Sequence, residues 1–224
     1  MKKHRHTVTI NGQGYTVTGC FGADACPHRS LDAPDLPQAV ASALEAMGIG
    51  QTLLNRLGHP IRAHNVLKIS ISYCPNACAR SQIADVGLIG AARPAVDTIP
   101  CIACGACAEA CREEAITFDG QGIITAIDPQ RCVSCGACAK ACPVEAITEA
   151  EQGFRLMLGG KLGRHPRFAE ELPGLFATQE LPALVARAVG FYLQAFQGHE
   201  RLGDVVTRLG AAAFFAPLAA QGKA

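Results

Sequence analysis

The sequence predicts an α+β chain interrupted near its middle by a small duplicated unit, and three observations carry that prediction. β-prone stretches and helical apolar periodicities follow one another without a regular strand–helix repeat. Residues 101–117 and 132–148 agree at 12 of 17 positions with an offset of 31, which marks an internal duplication. Cysteine accounts for 12 of 224 residues, and eight of the twelve lie inside that duplication. Three segments follow: 1–97 and 151–224 as two parts of one outer domain, and 98–150 as an insert between them.

The elements can be justified in order. Residues 6–19 form a hairpin, because His6–Ile10 and Tyr15–Thr18 are β-prone and Asn11-Gly12-Gln13-Gly14 supplies the turn. Asp35 caps a helix with Pro37 in its first turn, running through Val40, Leu44 and Met47 to Gly48. A shorter helix spans 51–57 and stops at Gly58-His59-Pro60. Residues 66–73 alternate and form a strand that delivers the chain to Cys74. Within the insert, residues 117–124 have the form of a hairpin. After it, 153–158 reads as a strand, and 181–197 and 200–209 as amphipathic helices whose apolar stripes belong to the core.

Composition narrows the function. Twenty Lys and Arg balance nineteen Asp and Glu for a net charge of +1, so nothing suggests a nucleic-acid binder working through a basic field. Aromatic residues make up 5% and Trp is absent, which removes stacking platforms for single strands. The basic N-terminus leads into Thr7-Val8-Thr9 without an apolar signal region, and no run reaches the ~18 apolar residues of a membrane span. The nearest, Leu209 to Ala220, is broken by Pro217. Eight of the cysteines sit at short spacings that hold metal clusters far more often than disulfides, so a reduced, cytoplasmic location is expected.

The cysteine spacings carry the chemistry. Two C-x2-C-x2-C-x3-C runs, Cys101/104/107/111 and Cys132/135/138/142, have the spacing of cubane ligands, with three thiolates presented from one tight loop. Zinc or a disulfide framework is the alternative reading of such spacings. The segment resembles bacterial two-cluster ferredoxins, and the resemblance implies crossed ligation. One [4Fe-4S] cluster takes Cys101, Cys104, Cys107 and Cys142; the other takes Cys132, Cys135, Cys138 and Cys111. Gly105 and Gly136 are expected where backbone must approach cluster sulfurs. Arg112 departs from the proline that often follows the fourth cysteine, while Cys142-Pro143 keeps it.

Four cysteines remain. Cys20-x5-Cys26 alone reads equally well as ordinary buried thiols. Together with Cys74-Pro75-Asn76-Ala77-Cys78-Ala79-Arg80 and Asp85-Val-Gly-Leu-Ile-Gly90, it resembles the iron–sulfur region of the sirohaem-containing nitrite and sulfite reductases. Gly153 to Arg167 is similar to that family's glycine-rich segment near the macrocycle. The resemblance implies a nitrite/sulfite reductase-like α+β domain around a ferredoxin-type insert. It also implies a third [4Fe-4S] cluster on Cys20, Cys26, Cys74 and Cys78, with Cys78 bridging to sirohaem iron.

Further site residues follow from the same resemblance. Arg80, Lys161 and Arg164 would face the carboxylate-rich edge of the macrocycle, with Arg167 beside them, although each reads equally well as a solvated surface cation. Asn76 would order the ligand loop through side-chain bonds to backbone. His28 and His165 are candidate proton donors, or else structural histidines. No catalytic residue is assigned. Family members that reduce sulfite carry a half-domain before the C-x5-C motif, whereas 19 residues precede Cys20 here. A partner subunit is therefore expected to complete the pocket, unless the sirohaem site is lost. The expected function is a sirohaem-dependent sulfite or nitrite reductase, or a subunit of one, taking a small inorganic anion and electrons from a redox partner. The alternatives are a three-cluster electron carrier without sirohaem, and a sirohaem-binding or sensing protein without turnover.

Overall fold

The computed structural model describes residues 7–21 and 26–219. A six-stranded mixed sheet in the order β1-β2-β3-β4-β7-β8 forms the body. β1 (Val8–Gly12) and β2 (Tyr15–Gly19) are the expected hairpin, closed by Gln13-Gly14, since Gly12 already pairs with Tyr15. Of the expected hairpin residues, His6 lies outside the described ones. β2, β3 (Leu67–Ser72) and β4 (Val86–Val96) run parallel to one another, so their carboxyl ends share one edge of the sheet. β7 (Ile147–Leu158) returns antiparallel along the whole length of β4, and β8 (Glu170–Phe176) closes the far edge.

Helices cover one face. α1 (Leu36–Ala46) starts at Pro37 as expected, although Asp35 makes no side-chain capping bond. α2 (Ile49–Leu57) ends at Gly58 in the left-handed conformation. α5 (Leu181–Ala195), α6 (Leu202–Leu209) and α7 (Ala211–Ala219) complete the layer. The alternating face of the strands, Val17, Ile69, Ile71, Leu88 and Leu156, meets Val40, Leu44, Leu184, Val185 and Val189 in one continuous core. Each such fully buried aliphatic side chain contributes about 1.5–3 kcal/mol. Buried Asp85 ties α6 to the sheet: Arg201 Nη2 donates to both carboxylate oxygens, at 3.0 and 2.9 Å, and the Lys68 N–H donates at 2.9 Å.

The second face of β3 is polar, and Ser70 and Ser72 on it are still buried. Ser70 donates to Ala79 O, the Ala79 N–H donates to Ser72 Oγ at 3.2 Å, and Ser81 Oγ donates to Ser70 O and Leu88 O at 3.1 Å. These hydroxyls satisfy the backbone of the segment that follows Cys74 and lay it flat on the sheet. Two glycines of β4 permit this. A Cβ at Gly87 would stand 2.1 Å from Ser81 O, and one at Gly90 would stand 2.6 Å from Tyr73 O. Sequence periodicity had not marked β4, β8 or α7 as regular elements.

β4 and β7 extend beyond the body as a two-stranded ribbon with a bulge at Arg93/Pro94, and residues 97–146 hang from its end. That lobe holds α3 (Ala106–Ala110), the hairpin β5 (Ile116–Phe118) and β6 (Ile124–Ile127), and α4 (Ala137–Ala141). Its own small core joins Ile124, Cys138 and Ile147 to Val96, Ile116, Phe118 and Ile127. Residues 147–150, expected inside the insert, are the first residues of β7.

Candidate iron–sulfur sites

The duplication repeats in the backbone as well as in the residues. Ala103 and Ser134 (φ 55°), Glu114 (47°) and Glu145 (55°), and Gly105 (76°) and Gly136 (74°) all take left-handed conformations at the same offset of 31. Residues with a Cβ rarely adopt this region, and holding them there costs about 1–2 kcal/mol each. Turns of this kind direct neighbouring N–H groups to one side, a geometry suited to anionic sulfur. At Gly105 no protein atom lies within 4 Å of where a Cβ would stand, whereas at Gly136 a Cβ would meet Glu149 Oε1 at 2.8 Å, so protein packing adds to the φ requirement only at Gly136.

Three groups of four thiols result. Cys101, Cys104, Cys107 and Cys142 line a tight void of about 20 Å³, walled by the loop Ile102–Cys104. Cys111, Cys132, Cys135 and Cys138 line a cavity of about 300 Å³ that reaches the body of the protein. Cys20, Cys26, Cys74 and Cys78 line a third, of about 150 Å³. Cys20 directly follows β2 and Cys74 lies just past β3, so parallel pairing puts both at the carboxyl edge of the sheet, the usual ligand side of open sheets. The Cys20 N–H donates to Ile71 O at 2.9 Å, which fixes that alignment. Residues 22–25 between Cys20 and Cys26 lie outside the described residues. Among the described residues no three Cys, His, Asp or Glu side chains converge as one metal ion would need.

The thiols sit in contrasting surroundings. Burial pushes the Cys138 thiol up to about 11, and the neighbouring Cys135, Cys132 and Cys111 add to the effect. Burial also raises Cys74, with Cys20, Cys26 and Cys78 adding to it and the Asn76 N–H opposing. Cys107 is raised by burial and by Cys104 and Cys142. At Cys142 the burial effect is outweighed by backbone N–H groups of Val144, Ile147, Ala146 and Glu145, so its thiol lies below the usual range. The Cys111 and Cys132 sulfurs each accept a backbone N–H at 3.4 Å, from Ala115 and Ser134. Thiols with raised values give up their protons to a bound cation, and four of them at these spacings are a donor set of the kind that holds a cubane.

The residues expected around sirohaem are less well supported. Lys161, expected to face a carboxylate of the macrocycle, forms an ion pair with Asp204 and is largely buried. Arg167 is likewise engaged, with Glu170, with Gly203 O at 2.7 Å and with Thr207 Oγ1 at 3.1 Å. Arg80, at φ 63°, and Arg164 are exposed. The glycines of that segment serve the protein's own packing: a Cβ at Gly160 would stand 2.7 Å from both Gln82 O and Ala84 O. Asn76 acts through its backbone N–H on Cys74 and makes no side-chain hydrogen bond among the described residues. Cys78 is exposed; His28 is also exposed and lines the second and third cavities, while His165 lies on the surface loop after Lys161. Sequence reasoning missed Ser70, Ser72 and Ser81, although Ile-Ser-Ile-Ser within a strand signals polar pegs on a covered face.

Residues 13–221 match the model of the nitrite and sulphite reductase 4Fe-4S domain. The chain belongs to this family. It is therefore an iron–sulfur protein of the nitrite and sulphite reductase type. It is 42% identical over 146 residues to a coenzyme F420-dependent sulfite reductase of Methanocaldococcus jannaschii, covering 64% of this chain and 23% of that protein. It is 32% identical over 103 residues to a subunit of the anaerobic sulfite reductase of Salmonella typhimurium, covering 46% of this chain and 26% of that protein. The fold superposes on dissimilatory sulfite reductase I with a TM-score of 0.64 at 16% identity, over 94% of this chain and 53% of that one. The chain thus spans about a quarter of the length of the curated relatives it matches. No helix among the described residues is long and apolar enough to cross a membrane.

Proposed function

We propose that the chain is the iron–sulfur relay of a sulfite reductase-type assembly, holding three [4Fe-4S] clusters on the three thiol sets. The observation that carries this reading is that all twelve cysteines line three cavities, with Cys111 on the cavity of the second run and Cys142 on that of the first. When bound, a cubane accepts and releases one electron at a time, which suits a multi-electron reduction fed in single steps. The protein's part is to hold thiolates, to direct N–H groups at sulfur and to keep the sites close. Cys74 lines both the second and the third cavity, so one residue walls the two sites.

The exposed Cys78 at the third cavity supports a sirohaem at that face, with another protein of the assembly lying over it. Reduction of sulfite or nitrite there is the activity proposed for the assembly, and a small inorganic anion its substrate. The pairing of Lys161 with Asp204 favours the second reading, a carrier that passes electrons to a partner enzyme. Anaerobic iron and sulfide counts with an absorption spectrum test both. Twelve irons per chain are expected; clearly fewer than eight, or zinc in their place, would sink the relay. Sirohaem uptake that Cys78→Ser leaves unchanged would remove the bridge, and absence of uptake with any partner would leave the carrier.

A further inference from the structure

The two halves of the lobe meet different surroundings. The second run is fastened to the body: the Ala92 N–H donates to Ser134 O at 2.7 Å, Ser30 Oγ donates to Cys135 O at 3.1 Å, and Lys140 Nζ donates to Arg29 O. The first run faces outward. Cys104 is exposed, and on either side of Cys101 stand Ile99, 91% exposed, and Ile102, 60% exposed. Large β-branched side chains this exposed beside a ligand thiol, in a lobe that has its own core, mark a surface that another protein covers.

Charge selects the kind of protein. Residues 97–146 carry seven acidic and three basic side chains, a net charge of −4 within a chain whose balance is +1. Two exposed acids flank the apolar pair. Asp97 accepts the Ile99 N–H at 3.1 Å. Asp119 lies in the hairpin turn whose Gly122 approaches Ala103: a Cβ there would stand 3.4 Å from the alanine methyl. A cationic surface is steered toward such a rim, while a second acidic lobe is repelled.

We infer that Ile99 and Ile102, framed by Asp97 and Asp119, form the docking surface for an electron-carrying protein with a cationic rim and an apolar centre around its own redox group. The inference rests on the cluster reading above and adds to it the side from which electrons arrive. One electron passes: the carrier is oxidised, the first-run site is reduced, and no atom is transferred.

Cytochrome c, a basic one-electron haem protein, is the probe, and calorimetry on the full iron-loaded chain is the readout. Binding should weaken about tenfold between about 20 and about 300 mM salt. Asp97→Asn with Asp119→Asn keeps the backbone bonds and should weaken it several-fold, as should Ile99→Ser with Ile102→Ser. Binding that ignores both salt and all four substitutions overturns the docking surface. So does a dimer of the loaded chain, seen by sedimentation, that the isoleucine substitutions dissolve, because the surface would then belong to a second copy. Iron counts on each variant read the relay separately. A lobe short of eight irons defeats that reading whatever the calorimeter shows.

Discussion

The two halves of the lobe share 12 of 17 residues, matching φ values and the same ligand spacing, yet one is anchored to the sheet and the other projects from it. The difference comes from outside the repeat. Ser30, Ala92 and Arg29 belong to the body, and each hydrogen-bonds the second half. Duplication therefore supplied two equal sets of thiols, and three neighbours made them unequal. A relay needs that inequality, because two sites in identical surroundings have no direction between them.

The largest expected effect tests whether the halves are interlocked at all. Cys111→Ser should empty the site of the second run, with a loss of about four irons, and Cys142→Ser that of the first. Iron analysis with electron paramagnetic resonance of the reduced protein identifies which signal disappears. If each substitution emptied the site of its own run instead, the crossing would be wrong.

A smaller effect should separate the halves. Gly105 and Gly136 share a left-handed φ, but only Gly136 is crowded: a Cβ there would stand 2.8 Å from Glu149 Oε1 and 3.0 Å from the Ala92 methyl, while nothing lies within 4 Å at Gly105. Gly105→Ala should cost about 1–2 kcal/mol from conformation alone. Gly136→Ala should cost about 3 kcal/mol or more, since overpacking adds to the strain. Denaturant melts of both variants measure the gap, and equal losses would mean that the anchoring contact is loose.

Ser30→Ala probes the anchor from the other side. It leaves Cys135 O without its donor and should cost about 1 kcal/mol, with faster proteolysis of the ribbon around Arg93 and Pro94. The equivalent carbonyl in the first half, at Cys104, should show no such response to any change in the body.

The smallest effect calibrates the rest, because it touches the body and leaves both halves alike. Burial acts upward on the Asp204 carboxyl, but the Lys161 ammonium and the Arg201 N–H outweigh it and hold it below the ordinary range. A lowered folded-state value contributes stability that is present above about pH 4 and is lost as pH falls through that value. Thermal melts from about pH 7 to about pH 3 should therefore fall less steeply in Asp204→Asn than in the parent. The ratio of iron held by the two halves should not move.

What could be read from the sequence divides along the same physical line. Cysteine spacing is a local property, and the proposed ligand sets rest on it together with the resemblance to ferredoxins and to the reductases. Helices α1, α2, α5 and α6 and strands β1 to β3 carry periodic apolar faces and were legible for that reason. β4 was hidden because Gly87, Gly90 and Pro94, which weaken any strand pattern, are there for close backbone approach and for the bulge. β8 carries Pro173 and Gly174, tolerable only at a sheet edge, and α7 carries Pro217. The ion pair of Lys161 was not legible because a lysine's partner is a tertiary fact: Asp204 lies 43 residues beyond it.

The ribbon that carries the lobe has one more implication. Val96 and Ile147 are register partners across β4 and β7, so the chain leaves and re-enters the body at adjacent points. Opposed strands stand about 5 Å apart, a gap that a two-residue turn spans. The whole of 97–146 can thus be exchanged for a short turn without moving a strand of the body. Architecturally the lobe is a detachable cartridge, and a different unit spliced between Val96 and Ile147 would inherit the same seat beside Cys74.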